Sequence, residues 1–447
     1  MRRQMSWGLA LLLALVVLSG CSGDGKEASS ASHSTSVSSS VSENAATVST
    51  ASTSPAETTG SVWKNSATSH ETTGSGTAPS TSSTTTTSIV PTSTTETLPP
   101  LSLVQTPTSQ TAAVFGRTVM KDGRLRLEWS GSGFAVRVTG TQAKIFLNAA
   151  VEKDAQAPYV RVWVDGKEGE TTAVSGTVSI QLHLGAGEHL IQLVRLSEVL
   201  TVAPIHVVSL QVYGDRQTPP DLLSPPVLPQ RRIEFIGDSI TCGFGTLSDQ
   251  PSDPFTTETE DPTKTYACRI ARYFHADARF ISMSGRGLLR DCAGAAFRPV
   301  PEWVDLTTFC HPEPWDYTRW QADIVVINVG TNDVAGGTPG VEFEAAAKAF
   351  LKRIRDHYPK AWLLWVHGMM NTEMTDPICR AVDAVRSEGD SRTACFFTEP
   401  VRMHPEEMGA CGHPNACGHA RFARELIPVI AAAAGWTAEN ANEPGGE

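Results

Sequence analysis

The sequence predicts an α/β chain: a three-layer α/β/α domain on a parallel sheet, preceded by an all-β sandwich. Two patterns carry that reading. Between residues 112 and 210, short segments of alternating apolar and polar residues recur about every ten positions, punctuated by Gly, Asp and Asn, as half-buried antiparallel strands do. After residue 230, short continuous apolar runs alternate with longer helical stretches, as in a sheet covered by helices on both faces.

Taken from the start, the chain opens on an export signal over 1–20. Arg2 and Arg3 supply the positive end, Ala10 to Leu18 the apolar core. From Ser22 the composition turns to Ser, Thr, Ala, Gly, Glu and Pro. So polar a run buries too little apolar surface to offset its ordering entropy, and 21–110 is expected to be a disordered tether that crosses a cell wall. Trp63 is the one aromatic residue in it. A short disordered tail is expected over 437–447.

The sandwich is expected over 111–215. Its strands are Leu125–Trp129, Phe134–Val138, Lys144–Leu147, Tyr159–Val164, Val178–Leu182, His189–Val194 and Ile205–Leu210, with a hairpin turn at Asp165-Gly166. Pro219, Pro220, Pro225, Pro226 and Pro229 make 216–230 a stiff linker. In the α/β domain, 231–436, strands are expected at Ile233–Ile236, Phe280–Met283, Ile324–Val329 and Trp362–Val366. Helices are expected at Tyr266–Phe274, Val341–His357, Pro377–Ser387 and Ala416–Ala434.

A net charge of −11 argues against nucleic acid or an anionic membrane surface as partner. Beyond the signal no stretch is long and apolar enough to span a bilayer. Apart from Cys21, the cysteines (Cys242, Cys268, Cys292, Cys310, Cys379, Cys395, Cys411, Cys417) form an even set, which in an exported domain reads as disulfides. Cys292–Cys310, Cys379–Cys395 and Cys411–Cys417 are plausible pairs among many connectivities; a zinc site is the competing reading, without paired Cys-x-x-Cys spacing to support it. No motif calls for a metal or an organic cofactor.

Four blocks stand at strand ends: Gly237-Asp238-Ser239, Ser284-Gly285-Arg286-Gly287, Gly330-Thr331-Asn332-Asp333, and Gly412-His413-Pro414-Asn415 before the last helix. Singly each reads as a turn. Together, in this order, they resemble the SGNH (GDSL-like) hydrolases. A sandwich followed by Gly-Asp-Ser-Ile-Thr-Cys-Gly-Phe-Gly resembles more narrowly carbohydrate esterase family 2, extracellular deacetylases of acetylated sugars. The resemblance implies an SGNH-type parallel sheet and a jelly-roll-like sandwich. Likewise Leu18-Ser19-Gly20-Cys21 resembles a lipobox, implying diacylation of Cys21 and anchoring at the outer face of the cell membrane; an ordinary cleaved signal is the alternative.

Ester hydrolysis needs a nucleophile, a base beside it, and donors aimed at the oxyanion. Ser239 is the expected nucleophile and His413 the base, preferred over His404 because a helix follows it at once; His419 is expected to be structural. The expected oxyanion donors are the backbone N–H groups of Ser239 and Gly287 and the side-chain amide of Asn332, each worth about 3 kcal/mol. Gly287 is expected to let substrate approach closely, while Asp238 and Asp333 shape their turns. Most SGNH enzymes place an aspartate three residues before the histidine. Here that position is Ala410, and Glu406 and Glu407 have the wrong spacing, so a Ser–His dyad is expected, its loop clamped by a Cys411–Cys417 bridge. Arg286 and Trp315 are weak candidates for substrate contact, Trp303, Trp320 and Trp365 weaker ones.

The expected function is removal of O-acetyl groups from a xylan- or glucomannan-like polysaccharide through an acyl-enzyme, by a monomer whose partner is acetylated carbohydrate. The alternatives are a lipase-like or peptidoglycan O-acetyl esterase of the same fold, or a non-catalytic carbohydrate-binding wall protein. The polar segment Ser248 to Lys264 offers no greasy lid, against long acyl chains.

Overall fold

The computed structural model describes residues 101–152, 156–198, 203–310 and 313–437. The signal, Cys21, Trp63 and the tether up to residue 100 lie outside the described residues, as does the tail from 438. No helix among the described residues is long and apolar enough to cross a membrane.

Twelve strands build the sandwich: β1 (Leu101–Gln105), β2 (Ala113–Phe115), β3 (Val119–Lys121), β4 (Arg124–Leu127), β5 (Gly133–Thr139), β6 (Gln142–Ala149), β7 (Tyr159–Val164), β8 (Lys167–Ala173), β9 (Gly176–His183), β10 (Glu188–Arg195), β11 (Ile205–Gly214) and β12 (Asp221–Leu222). One sheet runs β3-β4-β11-β6-β9 with β1 also on β11; the other runs β12-β5-β10-β7-β8 with β2 also on β5. Alternate residues, such as Ala143, Ile145 and Leu147 of β6 or Val160 and Val162 of β7, meet in the core between them. All seven strands expected from alternation are present. The expected two-residue turn joins β7 to β8, with Asp165 and Gly166 both at positive φ, the geometry that favours a Gly there.

Two boundaries move. Leu101–Gln105 lies inside the expected tether yet forms β1, paired in register with β11. Its Ser- and Thr-rich surroundings hid an apolar alternation of only a few residues. The Pro-rich linker is not a free spacer either: Asp221 and Leu222 pair with Thr139 and Val138 on β5.

The second half contains β13 (Arg231–Gly237), β14 (Ala276–Ser282), β15 (Ile324–Asn328), β16 (Trp362–His367) and β17 (Thr393–Phe397), all parallel, in the order β14-β13-β15-β16-β17. Its helices are α1 (Ser239–Cys242), α2 (Tyr266–Tyr273), α3 (Val300–Trp303), α4 (Thr331–Ala335), α5 (Gly340–His357), α6 (Thr375–Ser387) and α7 (Ala416–Ala434). Strand residues serve both faces: Ile233, Phe235, Ile324 and Val326 join the core under α2 and α7, while Ile236, Val325 and Ile327 join the one under α5 and α6. Burial on both faces is why these strands read as unbroken apolar runs. The chain reverses its direction of winding between β13 and β15, so their carboxyl ends flank the crevice where such sheets hold ligands.

Sandwich and α/β domain belong to one compact unit. Glu234, fully buried in the middle of β13, pairs with Arg117 of the sandwich at 2.9 Å and accepts the Tyr358 hydroxyl at 2.7 Å. Trp129 of the sandwich joins the α/β core and donates Nε1–H to the Thr307 carbonyl at 3.0 Å. Trp315 lies in the same core, 6 % exposed, between the guanidinium groups of Arg117 and Arg279. It cannot stack on a sugar, and Trp303, Trp320 and Trp365 are equally buried; the expectation of a tryptophan platform is corrected.

Candidate active site

Strand β13 ends at Gly237, where a Cβ would collide with the Thr241 side chain, and the chain turns at once into α1. Asp238 caps that helix through the Ile240 N–H at 3.1 Å. Ser239 follows as its first residue. Across the crevice, His413 Nε2 lies 2.9 Å from Ser239 Oγ. The two residues that sequence placed as nucleophile and base therefore meet, although 174 positions separate them. His404 does not compete, since its Nε2 pairs with Glu399. His419 is fully buried and takes the Tyr266 N–H on Nδ1.

Among the described residues no carboxylate bonds the imidazole. Its Nδ1 is buried without a well-formed hydrogen bond, facing the backbone of Ala410 and Cys411. Glu407 is committed to Arg421, with Nε 2.9 and 2.8 Å from its two oxygens. Ala410 packs against Gly245, whose own Cβ, if present, would lie 2.8 Å from that of Ala410. Ala410 is fully buried. Burial lowers the imidazole to about 4, although the carbonyls of Cys411 and Ala410 favour its proton.

The expected Cys411–Cys417 clamp is not formed; both are exposed free thiols. Cys379 and Cys395 do bring their sulfurs to 3.1 Å. The histidine loop is held by other means. Asn415 donates its amide to the Glu406 carbonyl at 2.8 Å, and its Oδ1 caps α7 through the Cys417 and Gly418 N–H groups. Phe244, stacked on Phe255, lies 4.2 Å from the imidazole. Sequence reading passed over Asn415 and Phe244; the only signals were a capping residue before a helix and an aromatic between two glycines.

Asp333 shapes the second block rather than acting as an acid. It accepts the N–H groups of Leu288, Leu289 and Arg290 at 2.6, 2.8 and 3.1 Å. A Cβ on Gly287 would lie 2.3 Å from both the Arg290 carbonyl and Asp333 Oδ2. Glycine is required there by its own protein neighbours, a different reason from the expected open path for substrate. Arg286, expected either to contact substrate or to brace its loop, bonds Asp291 at 3.2 Å and the Phe297 carbonyl at 3.0 Å, which is the bracing role.

Among the hydrogen bonds of the described residues, none uses the N–H of Ser239 or Gly287, the two expected backbone donors. The Asn332 amide is already engaged, donating to Asp238 Oδ2 at 3.2 Å and to the Arg286 carbonyl at 3.1 Å. Burial pushes the Asp238 carboxyl up to about 7 despite the Ile240 N–H, with Asp333 adding to the push. A serine hydroxyl bonded to a neutral imidazole has the nucleophile and base that acyl transfer needs, and the Ser239 and Gly287 N–H groups have no other partner among the described residues.

Comparison with known proteins agrees with this geometry. Residues 114–219 match the carbohydrate esterase 2 N-terminal family and residues 235–421 the GDSL-like lipase/acylhydrolase family. An acetylxylan esterase / glucomannan deacetylase of Cellvibrio japonicus is 30% identical over 290 residues, covering 60% of this chain and 76% of that protein. The chain belongs to carbohydrate esterase family 2. A cellulase/esterase, CelE, of Acetivibrio thermocellus is 29% identical over 325 residues, 69% of this chain; the chain spans only 38% of that longer protein. A family two carbohydrate esterase from Clostridium thermocellum, solved in complex with cellohexaose, shares 25% identity at a TM-score of 0.67, covering 73% of this chain and all of that one.

Two outcomes follow from this site. Gly287→Ala forces its methyl into the Arg290 carbonyl and Asp333, displacing the loop; kcat should fall roughly 100-fold or more in steady-state kinetics of ester hydrolysis. The base must be neutral to accept a proton, and burial places its titration near 4. The acid limb of kcat/KM should therefore lie between about 4 and 5.5; a limb at the ordinary imidazole value of about 6.5 would contradict that environment.

Proposed function

We propose that this protein is a serine esterase that removes O-acetyl groups from an acetylated polysaccharide of the xylan or glucomannan kind, at the outer face of the cell. The observation that carries the proposal is the 2.9 Å contact between Ser239 Oγ and His413 Nε2 with unclaimed N–H groups on Ser239 and Gly287. His413 takes the proton of Ser239 as the hydroxyl attacks the acetyl carbonyl. The tetrahedral oxyanion collects the two backbone N–H groups, and the Asn332 amide on giving up one of its long bonds. His413 then hands the proton to the departing sugar hydroxyl, leaving acetyl on Ser239. Water, deprotonated by the same imidazole, releases acetate. Backbone carbonyls at 410 and 411 take the place of an acid, which makes the pair a dyad.

The substrate class draws support from the relatives, of which the Cellvibrio protein is named an acetylxylan esterase / glucomannan deacetylase. The lipobox-like Leu18–Cys21 supports the location, with a diacylated Cys21 as anchor and no further contact with membrane.

Wild type should release acetate from acetylated xylan or glucomannan, and Ser239→Ala should lose roughly 10^4-fold or more of kcat. Equal rates in the two proteins would leave carbohydrate binding as the better reading, and preference for acetylated peptidoglycan would move the substrate. Expressed with its own signal in a bacterial host, the protein should incorporate labelled palmitate and sediment with membranes. Cys21→Ala should abolish both, and unchanged labelling would exclude the anchor.

A further inference from the structure

Behind α1 lies a second group of titratable side chains, one that neither half of the molecule supplies alone. Glu198, just past β10 in the sandwich, is fully buried within the α/β domain. Its Oε2 accepts the Ser284 N–H at 2.8 Å and lies 3.5 Å from the Cys242 sulfur. Ser284 opens the loop that leads to Gly287, and Cys242 closes the helix that begins with Ser239. One carboxylate thus touches both backbone segments that carry the proposed oxyanion donors.

The turn that presents Glu198 is held rigidly. Arg195, fully buried, donates to the carbonyls of Ser197 at 2.6 Å, Glu198 at 3.2 Å, Leu127 at 2.9 Å and Ala203 at 3.0 Å. From the α/β side, Glu260 Oε1 accepts the Glu198 N–H at 3.0 Å. Glu198 Oε1 and Glu260 Oε2 are buried without partners, and oxygens of the two carboxylates lie within 4.8 Å of each other and of the Cys242 sulfur. Two ionised carboxylates so close and so dry repel strongly, and burial pushes both carboxyl groups up, toward their protonated forms.

We propose that Glu198 is a positioning residue of the esterase: the sandwich inserts an acceptor that keeps the Ser284–Gly287 loop in register with the Ser239 helix. The proposal rests on the esterase reading above. A residue that only filled space would affect stability and leave turnover in the folded protein alone. A positioning residue moves kcat and spares KM, because the oxyanion exists only in the transition state.

The test is p-nitrophenyl acetate kinetics on the full chain, with wild type and Ser239→Ala measured alongside. Glu198→Ala should lower kcat roughly 10- to 100-fold with KM within about threefold of wild type. Glu198→Gln should recover most of that loss, since its carbonyl still accepts the Ser284 N–H and its amide hydrogens meet Glu260. Should the alanine variant not fold, Glu198→Asp withdraws the acceptor by one methylene and should show the same split. A folded Ala or Asp variant with wild-type kcat overturns the proposal, as does a Gln variant as impaired as Ala. Dialysis of wild type against EDTA should leave its rate unchanged; a loss would make Glu198, Cys242 and Glu260 a cation site instead. Absence of any Ser239-dependent rate in wild type would fault the esterase reading itself, a result separable from all of these.

Discussion

The arrangement hangs on a buried ion pair. Arg117 and Glu234 are both sealed from water, one from each half of the molecule, and the Tyr358 hydroxyl completes the carboxylate. Removing either partner of such a pair strands the other charge in the interior, at a cost of about 3–5 kcal/mol. The sandwich therefore cannot swing away from the sheet without breaking that pair. Trp129, buried among α/β side chains and bonded to the Thr307 carbonyl, adds an apolar lock to the ionic one. With the sandwich so fixed, a carboxylate on one of its turns can set the position of a catalytic loop to within a hydrogen bond.

In the proposed dyad no acid orients the imidazole, and its surroundings are backbone and neutral side chains. Asn415, Phe244 and the backbone around Ala410 hold the imidazole by shape and neutral hydrogen bonds. The Cys411 and Ala410 carbonyls favour its positive form, but burial outweighs them and the basicity falls. A weaker base takes the serine proton less readily, and more of the barrier has to be lowered by the N–H donors on the other side of the crevice. That shifts catalytic weight onto the Ser284–Gly287 loop, which is where Asp333, Arg286 and Glu198 converge.

How much of this was legible in the sequence depended on whether a residue acts along the chain or across it. Alternation in the sandwich and unbroken apolar runs in the α/β half disclosed their strands because burial on one face or two leaves a local record. Strand β8 left none: Lys167–Ala173 is almost wholly polar, an edge strand with both faces toward water. Ser239, His413, Gly287 and Asn332 were legible as ordered blocks at strand ends. Glu198 was not, since nothing in Arg195-Leu196-Ser197-Glu198 distinguishes a surface turn from one that plugs a neighbouring domain. The tryptophans misled for the same reason: a large ring in a Pro-rich insert looks exposed until three arginines are found packed on it.

As a proposed donor to the oxyanion, Asn332 would have to release one of the bonds by which it holds the resting site together. At rest its amide ties the first block to the second, one hydrogen to Asp238 and one to the Arg286 carbonyl, at 3.2 and 3.1 Å. Bonds of that length are weak, and the Asp238 acceptor is weaker still because burial pushes its carboxyl up to about 7, so a large share carries a proton near neutrality. An oxyanion arriving beside the amide is a full charge in a dry site and a far better acceptor than either. Exchange of one long neutral bond for a short charged one is favourable only while that charge exists, which is the condition for lowering a barrier without binding the ester more tightly.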